Sequence, residues 1–463
     1  MSTSQEPEHP IVTYLGLKEH LYELTIQHKG LHVKRDTPVT QALDNVISYP
    51  FVSFNLPPYL SEYSFMGPNE TSFGTLDSPN IDAIRSQSLP SSFGRGDQTV
   101  TDPTYRNGRE VRGENLKWPD SPRDAAACRR LALELTNVLE ATLFVGKQVE
   151  ILLYKLALYD KGGHFDWHRD STHGDNHHAT ILVALNTSWE GGSLLLRHNG
   201  QEMTVDMHPK VTSITHPETP ESESQLSESE PDTQTSLRAA AFYTDVEHKV
   251  EPVTEGVRLI LQYDVFVSHE EGDPHEFDDY SNLDKVSGKS RLHHSSENVY
   301  DHELQAPCGS SNEDSVSSLV DAIREIIASG TEEVGFPLRH LYRQASIRKE
   351  YLKGADAIIY AKLTQVFDVS LVPMILEEIS IDGDWTGEEM AVYKALEHRA
   401  VGGHTRKKAR SSTEFHLNLV SDVMEISSEE YIEHTGNEAQ EAECRYFGGG
   451  MFLREKRSEA QVV

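Results

Sequence analysis

The sequence predicts an α+β chain whose middle is an antiparallel β-sandwich or jelly roll, followed by a second α+β unit. Three observations predict this. Between 149 and 265, short apolar, β-branched runs are separated by glycine-containing turns rather than by helical periods. The longest run, Val149–Tyr159, is largely apolar on both faces, as a strand covered on both sides must be. Beyond 315, helical periodicity returns, mixed with further strand-like runs.

Taken in order, residues 1–120 read as a partly ordered N-terminal extension lying on the substrate side of the central domain. That domain spans 121–267. It opens with a helix over 121–144, where Leu131, Leu135, Val138, Leu139 and Leu143 recur at spacings of three to five and Pro122 suits the first turn. After Val149–Tyr159 come strands at 179–185, 193–197, 239–243 and 257–265. Trp189-Glu190-Gly191-Gly192 and Glu255-Gly256 supply turns between them.

Two polar stretches interrupt this pattern. Pro217–Asp232 has six acidic residues and no basic one, so it cannot bury enough surface to offset its ordering entropy and reads as a disordered acidic insertion. Residues 268–314 read as a disordered linker. The C-terminal unit, 315–463, is expected to hold a helix along Val316, Leu319, Val320, Ile323, Ile326 and Ile327 that ends at Gly330. A second helix is expected over 355–363, with strands at 369–379, 416–426 and 446–453.

Composition narrows the function. The formal charge of −32 argues against a nucleic-acid partner held through phosphates. No apolar run approaches the roughly 18 residues of a membrane span. The start of the chain lacks a basic segment followed by an apolar core. The three cysteines, Cys128, Cys308 and Cys444, form no CxxC pair, which favours a reducing, intracellular setting, cytoplasmic or nuclear. The basic run 406–410 reads as a solvated loop, with nuclear localisation the alternative. No residue pattern sets an oligomeric state.

The chemistry concentrates at Tyr159-Asp-Lys-Gly-Gly-His-Phe-Asp-Trp-His168-Arg-Asp170, together with His248 and Arg258. Two imidazoles and a carboxylate can hold three positions on one face of an iron ion and leave the others open. HxD alone is weak evidence, since the chain has 23 histidines and also contains His164-Phe165-Asp166 and His173-Gly174-Asp175. Context selects His168. A strand ends at Tyr159, Gly162-Gly163 allow a turn, Phe165 precedes the histidine by three, and period-two alternation sends His168 and Asp170 to one side. By the same alternation Trp167 should point away from the metal as core packing, and His177 and His178 read as solvated strand ends.

The spacing Y-x-x-G-x-x-F-x-x-H-x-D resembles the prolyl 4-hydroxylase-like branch of the Fe(II)- and 2-oxoglutarate-dependent oxygenases. The second half of the resemblance runs from Ala239 through His248, a glycine turn, and Arg258-Leu-Ile-Leu. It covers roughly 150–265 and extends weakly to Phe93-Gly-Arg-Gly-Asp-Gln-Thr-Val100 and Thr435-Gly-Asn-Glu438, as in fungal and other microbial members with extended flanking regions. It implies a double-stranded β-helix, with His168, Asp170 and His248 as the metal triad. It also implies Fe(II), 2-oxoglutarate as cosubstrate and O2, with ascorbate an optional reductant. Arg258 would pair with the far carboxylate of 2-oxoglutarate, a role suited to a planar, permanently charged fork. Tyr159, Thr180 and Gln262 are further candidates at the cosubstrate, although many relatives carry threonine where this chain has Gln262. The implied activity is hydroxylation of a peptidyl residue, prolyl by default. Oxidation of a small metabolite and a non-catalytic scaffold are the alternatives.

Overall fold

A computed structural model describes residues 30–34, 37–95, 98–119, 122–198, 200–213, 233–268, 311–373, 376–380, 391–395, 413–416, 435–436 and 446–456. The acidic stretch 217–232, residues 269–310 of the expected linker, the basic run 406–410 and strand residues 417–426 lie outside them. No helix among the described residues is long and apolar enough to cross a membrane.

The middle of the chain is a jelly roll of two antiparallel sheets. The larger has seven strands in the order Phe51–Asn55, Arg238–Tyr243, His177–Ala184, Arg258–Val267, Val149–Tyr159, Arg109–Arg112, Leu89–Pro90. The smaller has five: Gln201–Val205, Leu194–His198, Glu247–Val250, His164–His168, Arg106–Asn107. Both contribute to one apolar core, in which Ile181 and Leu261 of the larger sheet join Leu194 and Leu196 of the smaller. The strand Val149–Tyr159 is apolar on both faces because helix Pro122–Ala141 covers its outer side, with Leu131, Leu135 and Leu139 buried in the same cluster.

Residues expected to form an N-terminal extension take part in both sheets and in the C-terminal unit. Phe51–Asn55 pairs with Arg238–Tyr243, Arg109–Arg112 with Val149–Tyr159, and Arg106–Asn107 with His164–His168. Gly30–Lys34 lies further off, in a seven-stranded sheet with Phe367–Pro373, Gly449–Glu455, Glu333–Pro337, Thr413–His416, Ala391–Ala395 and Leu376–Ser380. A second apolar cluster packs beside this sheet. It joins Val39 and Leu43 of helix Pro38–Asp44 to Leu319 and Ile323 of Ser311–Ala328 and Ile359 and Leu363 of Gly354–Val366.

The single strand expected over 369–379 is two strands. Pro373 cannot donate to a ladder, and the chain changes partner there: Phe367–Pro373 pairs with Gly449–Glu455, and Leu376–Ser380 with Ala391–Ala395. The weakly matching segments at 93–100 and 435–438 meet in a small sheet, where Thr435 pairs with Arg95 and Gly436 with Gly94. Asn437 and Glu438 lie outside the described residues.

The turn into Arg258–Val267 depends on Gly256, which has φ +77° and whose missing Cβ would lie 2.0 Å from the Ser188 carbonyl oxygen. Gly146 has nearly the same φ, +78°, but open space around it. Gly146→Ala should therefore cost only the left-handed penalty of about 1–2 kcal/mol. Gly256→Ala adds a backbone clash and should cost about 3 kcal/mol or more. Chemical denaturation of both variants checks this; equal losses would refute the packing role assigned to Gly256.

Candidate active site

The two histidines of the triad are brought together by strand pairing. His168 ends one strand of the smaller sheet and stands directly opposite His248 on its antiparallel neighbour. Their rings lie 4.0 Å apart between centroids, and Asp170 Oδ1 is 3.7 Å from His248 Nε2. The donor atoms of His168, Asp170 and His248 all fall within 4.8 Å of one another, and all three residues are buried.

Each ring is oriented by its own backbone. His168 Nδ1 donates to the Asp166 carbonyl at 2.8 Å, and His248 Nδ1 donates to the Val246 carbonyl at 3.1 Å. A carbonyl can only accept, so the proton sits on Nδ1 in both rings and the Nε2 lone pairs are left for a metal. Burial, reinforced by the neighbouring His248, holds His168 well below the usual histidine range, so it stays neutral at physiological pH. Phe165 stacks on the His168 ring at 3.4 Å, and the buried Arg106 guanidinium lies over the Phe165 ring at 4.4 Å.

Thr180, expected at the cosubstrate, has a different partner. Its hydroxyl donates to Asp170 Oδ2 at 2.5 Å, because its strand position faces the triad carboxylate. Each of the three triad side chains thus has a hydrogen bond that sets its orientation.

Arg258 lies opposite Tyr159 on the paired strands of the larger sheet and is 1% exposed. Its guanidinium sits 5.6 Å from the Tyr159 ring, and Gly192 leaves room for it, since a Cβ there would come within 3.3 Å of Arg258 Cδ. Burial lowers its pKa to about 10, with Tyr159 acting in the opposite direction, so it remains charged at neutral pH. Nε and Nη2 of Arg258 are buried and have no hydrogen-bond partner among the described residues. A buried charge without a partner is costly, and a carboxylate presented to this fork would remove that cost. Gln262 is buried further along the same strand, on the same face as Arg258. The donor set of His168, Asp170 and His248 fits a divalent ion, and the Arg258 fork fits a carboxylate.

The histidines expected to be solvated strand ends are buried instead. His177 Nδ1 accepts from the His173 N–H at 3.0 Å and its Nε2 donates to the Ala179 carbonyl at 3.2 Å. Burial pushes its pKa down to about 4. His178 packs against Tyr351 of the C-terminal segment, which covers that strand end. Trp167 lies beneath Arg197, whose guanidinium is 4.0 Å from its ring. Three contributors carried no local sequence signal: Arg106, Asp264, which pairs with His173 at 2.7 Å, and Asp245 beside the triad turn.

Comparison with known proteins bears on this geometry. Residues 154–263 match the family model of the 2OG-Fe(II) oxygenase superfamily, a span that contains the triad and Arg258. The chain carries a 2OG-Fe(II) oxygenase domain. The family implies Fe(II), 2-oxoglutarate and O2, and marks the protein as an oxygenase. No curated protein matches the chain.

Among solved structures, a Pseudomonas putida prolyl-4-hydroxylase is similar at 17% identity and a TM-score of 0.28, covering 50% of this chain and all of that one. A prolyl hydroxylase from Trichoplax adhaerens, in complex with a peptide fragment of the hypoxia inducible factor oxygen degradation domain, is 15% identical with a TM-score of 0.26, covering 49% of this chain and 88% of its own. The alpha-ketoglutarate-dependent epimerase SnoN of nogalamycin biosynthesis is 12% identical with a TM-score of 0.26, over 49% of this chain and 80% of its own. Likenesses this distant do not bear on activity or substrate.

The Thr180 hydroxyl holds Asp170, so Thr180→Val should weaken Fe(II) binding by about tenfold, as loss of an outer partner of a metal ligand does. Anaerobic Fe(II) titration measures this. Unchanged affinity in a folded variant would show that Asp170 is not held for a metal.

Proposed function

We propose that this protein is an Fe(II)- and 2-oxoglutarate-dependent dioxygenase that hydroxylates a C–H bond of a peptidyl residue, prolyl by default, while 2-oxoglutarate is converted to succinate and CO2. The observation that carries the reading is the buried His168–Asp170–His248 cluster in the same domain as a buried guanidinium whose Nε and Nη2 have no partner among the described residues. The peptidyl part rests on the prolyl 4-hydroxylase-like spacing from Tyr159 to Asp170.

In this reading Nε2 of His168, Nε2 of His248 and the Asp170 carboxylate hold Fe(II), with Thr180 and the two backbone carbonyls fixing their directions. Bound iron supplies O2 activation driven by oxidative decarboxylation of the cosubstrate. Arg258 grips the distal carboxylate of 2-oxoglutarate, with Tyr159 and Gln262 lining the same face. Burial of all these groups keeps bulk water from competing for them.

Anaerobic addition of Fe(II) and 2-oxoglutarate should produce the weak visible charge-transfer band of the chelate. His168→Ala should abolish the band, and Arg258→Met should require about 30-fold more 2-oxoglutarate or beyond, as expected when one partner of a buried charge pair is removed. With O2 admitted, proline-containing peptides should gain one oxygen as succinate forms. Succinate formed only with small metabolites would move the substrate to that class. A folded, iron-loaded wild type without the band would contradict the cosubstrate assignment.

A further inference from the structure

Asp245 lies three residues before His248 and is buried, yet its carboxylate is held by the C-terminal unit. Oδ2 accepts from His340 Nδ1 and from the Leu341 backbone N–H, both at 3.0 Å, and Oδ1 accepts from Lys353 Nζ at 2.8 Å. Lys353 is itself buried and also donates to the Leu341 carbonyl at 2.9 Å. The C-terminal side is made rigid in turn. Tyr342 accepts the Lys353 backbone N–H and donates to Asp356, which also receives the backbone N–H groups of Arg339 and His340.

The donor atoms of His198, Asp245 and His340 meet the spacing of a metal site. The Lys353 ammonium already provides the cation there, so the cluster works as an ionic lock. Although burial opposes ionisation, Lys353 and then His340 hold the Asp245 carboxyl well below its ordinary range, and the lock is charged at neutral pH.

The backbone of the same turn faces the triad. The Asp245 carbonyl accepts from Arg169 Nε at 3.0 Å, and Arg169 stands between His168 and Asp170 in sequence. The next carbonyl, of Val246, accepts the Nδ1–H that orients the His248 ring. One short turn thus has its side chain clamped by the C-terminal unit and its two carbonyls committed to both halves of the triad.

We infer that Asp245, Lys353 and His340 are positioning residues for the metal centre, so that the C-terminal unit sets iron affinity without touching the ion. The inference rests on the triad assignment made above.

The test uses the full chain. Asp245→Asn combined with Lys353→Met removes both charges together and avoids stranding one in the interior. His340→Phe keeps the ring that stacks on His198 but loses the Nδ1 donor. Glu333→Gln is the control, since it breaks the 2.7 Å pair with Arg454 elsewhere in the C-terminal unit. The Fe(II) dissociation constant should rise about tenfold or more in the double variant, rise less in His340→Phe, and stay unchanged in Glu333→Gln. In the metal-free protein, hydrogen exchange over 244–248 should quicken in the first two variants only. Should the double variant not fold, His340→Phe decides by the same measures. A folded lock variant with wild-type iron affinity, or an equal rise in Glu333→Gln, overturns the inference. A wild type that binds no Fe(II), or His168→Ala binding as the wild type does, would instead overturn the triad.

Discussion

The antiparallel pairing of Val149–Tyr159 with Arg258–Val267 organises the rest of the structure. It runs almost the full length of both strands, from Val149 opposite Val267 to Tyr159 opposite Arg258. Because side chains alternate, this register sends Arg258 and Gln262 to one face and the apolar Leu259 and Leu261 to the other. Where the pairing ends, Gly162 and Gly163 let the chain turn into the smaller sheet, and five residues later His168 meets His248. A slip of one residue in this ladder would exchange its two buried faces and put leucines where Arg258 and Gln262 now stand.

A jelly roll that buries this many ionisable groups must pair them, and almost every one is paired. Glu110 lies against Arg106 at 3.0 Å and Lys155 at 3.6 Å, and its carboxyl stays below the ordinary range although burial works to raise it. Asp264 is matched with His173, Asp170 with Thr180, and Asp245 with Lys353 and His340. Arg258 is the contrast, with two buried nitrogens and no acceptor for either among the described residues. In the function proposed above, the distal carboxylate of 2-oxoglutarate is the acceptor that suits this fork.

Much of the oxygenase core was legible because its signals are local. The strand Val149–Tyr159, the helix beginning at Pro122 and the His168–Asp170 half of the triad each rest on residues close in sequence, and alternation relates His168 to Asp170. What could not be read depends on contacts between distant residues. Gly30–Lys34 carries no mark that it will pair with 413–416 and 391–395, and the short strands at 51–55, 106–107 and 109–112 are too brief to show a period. His177 and His178 looked like solvated ends because nothing nearby in sequence announces Tyr351 or the fold of 171–177 over them. The bond from the Thr180 hydroxyl to Asp170 joins a strand to the segment after His168, a contact that no local spacing announces.

The proposed role of Arg258 as the donor to a distal carboxylate is open to a direct calorimetric comparison. 2-Oxoglutarate and 2-oxobutanoate share the keto acid end that would chelate iron, and only the first has a second carboxylate. Titrated anaerobically into Fe(II)-loaded wild-type protein, 2-oxoglutarate should bind about 30-fold more tightly or beyond, the worth of one buried charge pair. Equal affinities would contradict the assignment and leave the buried guanidinium without a ligand.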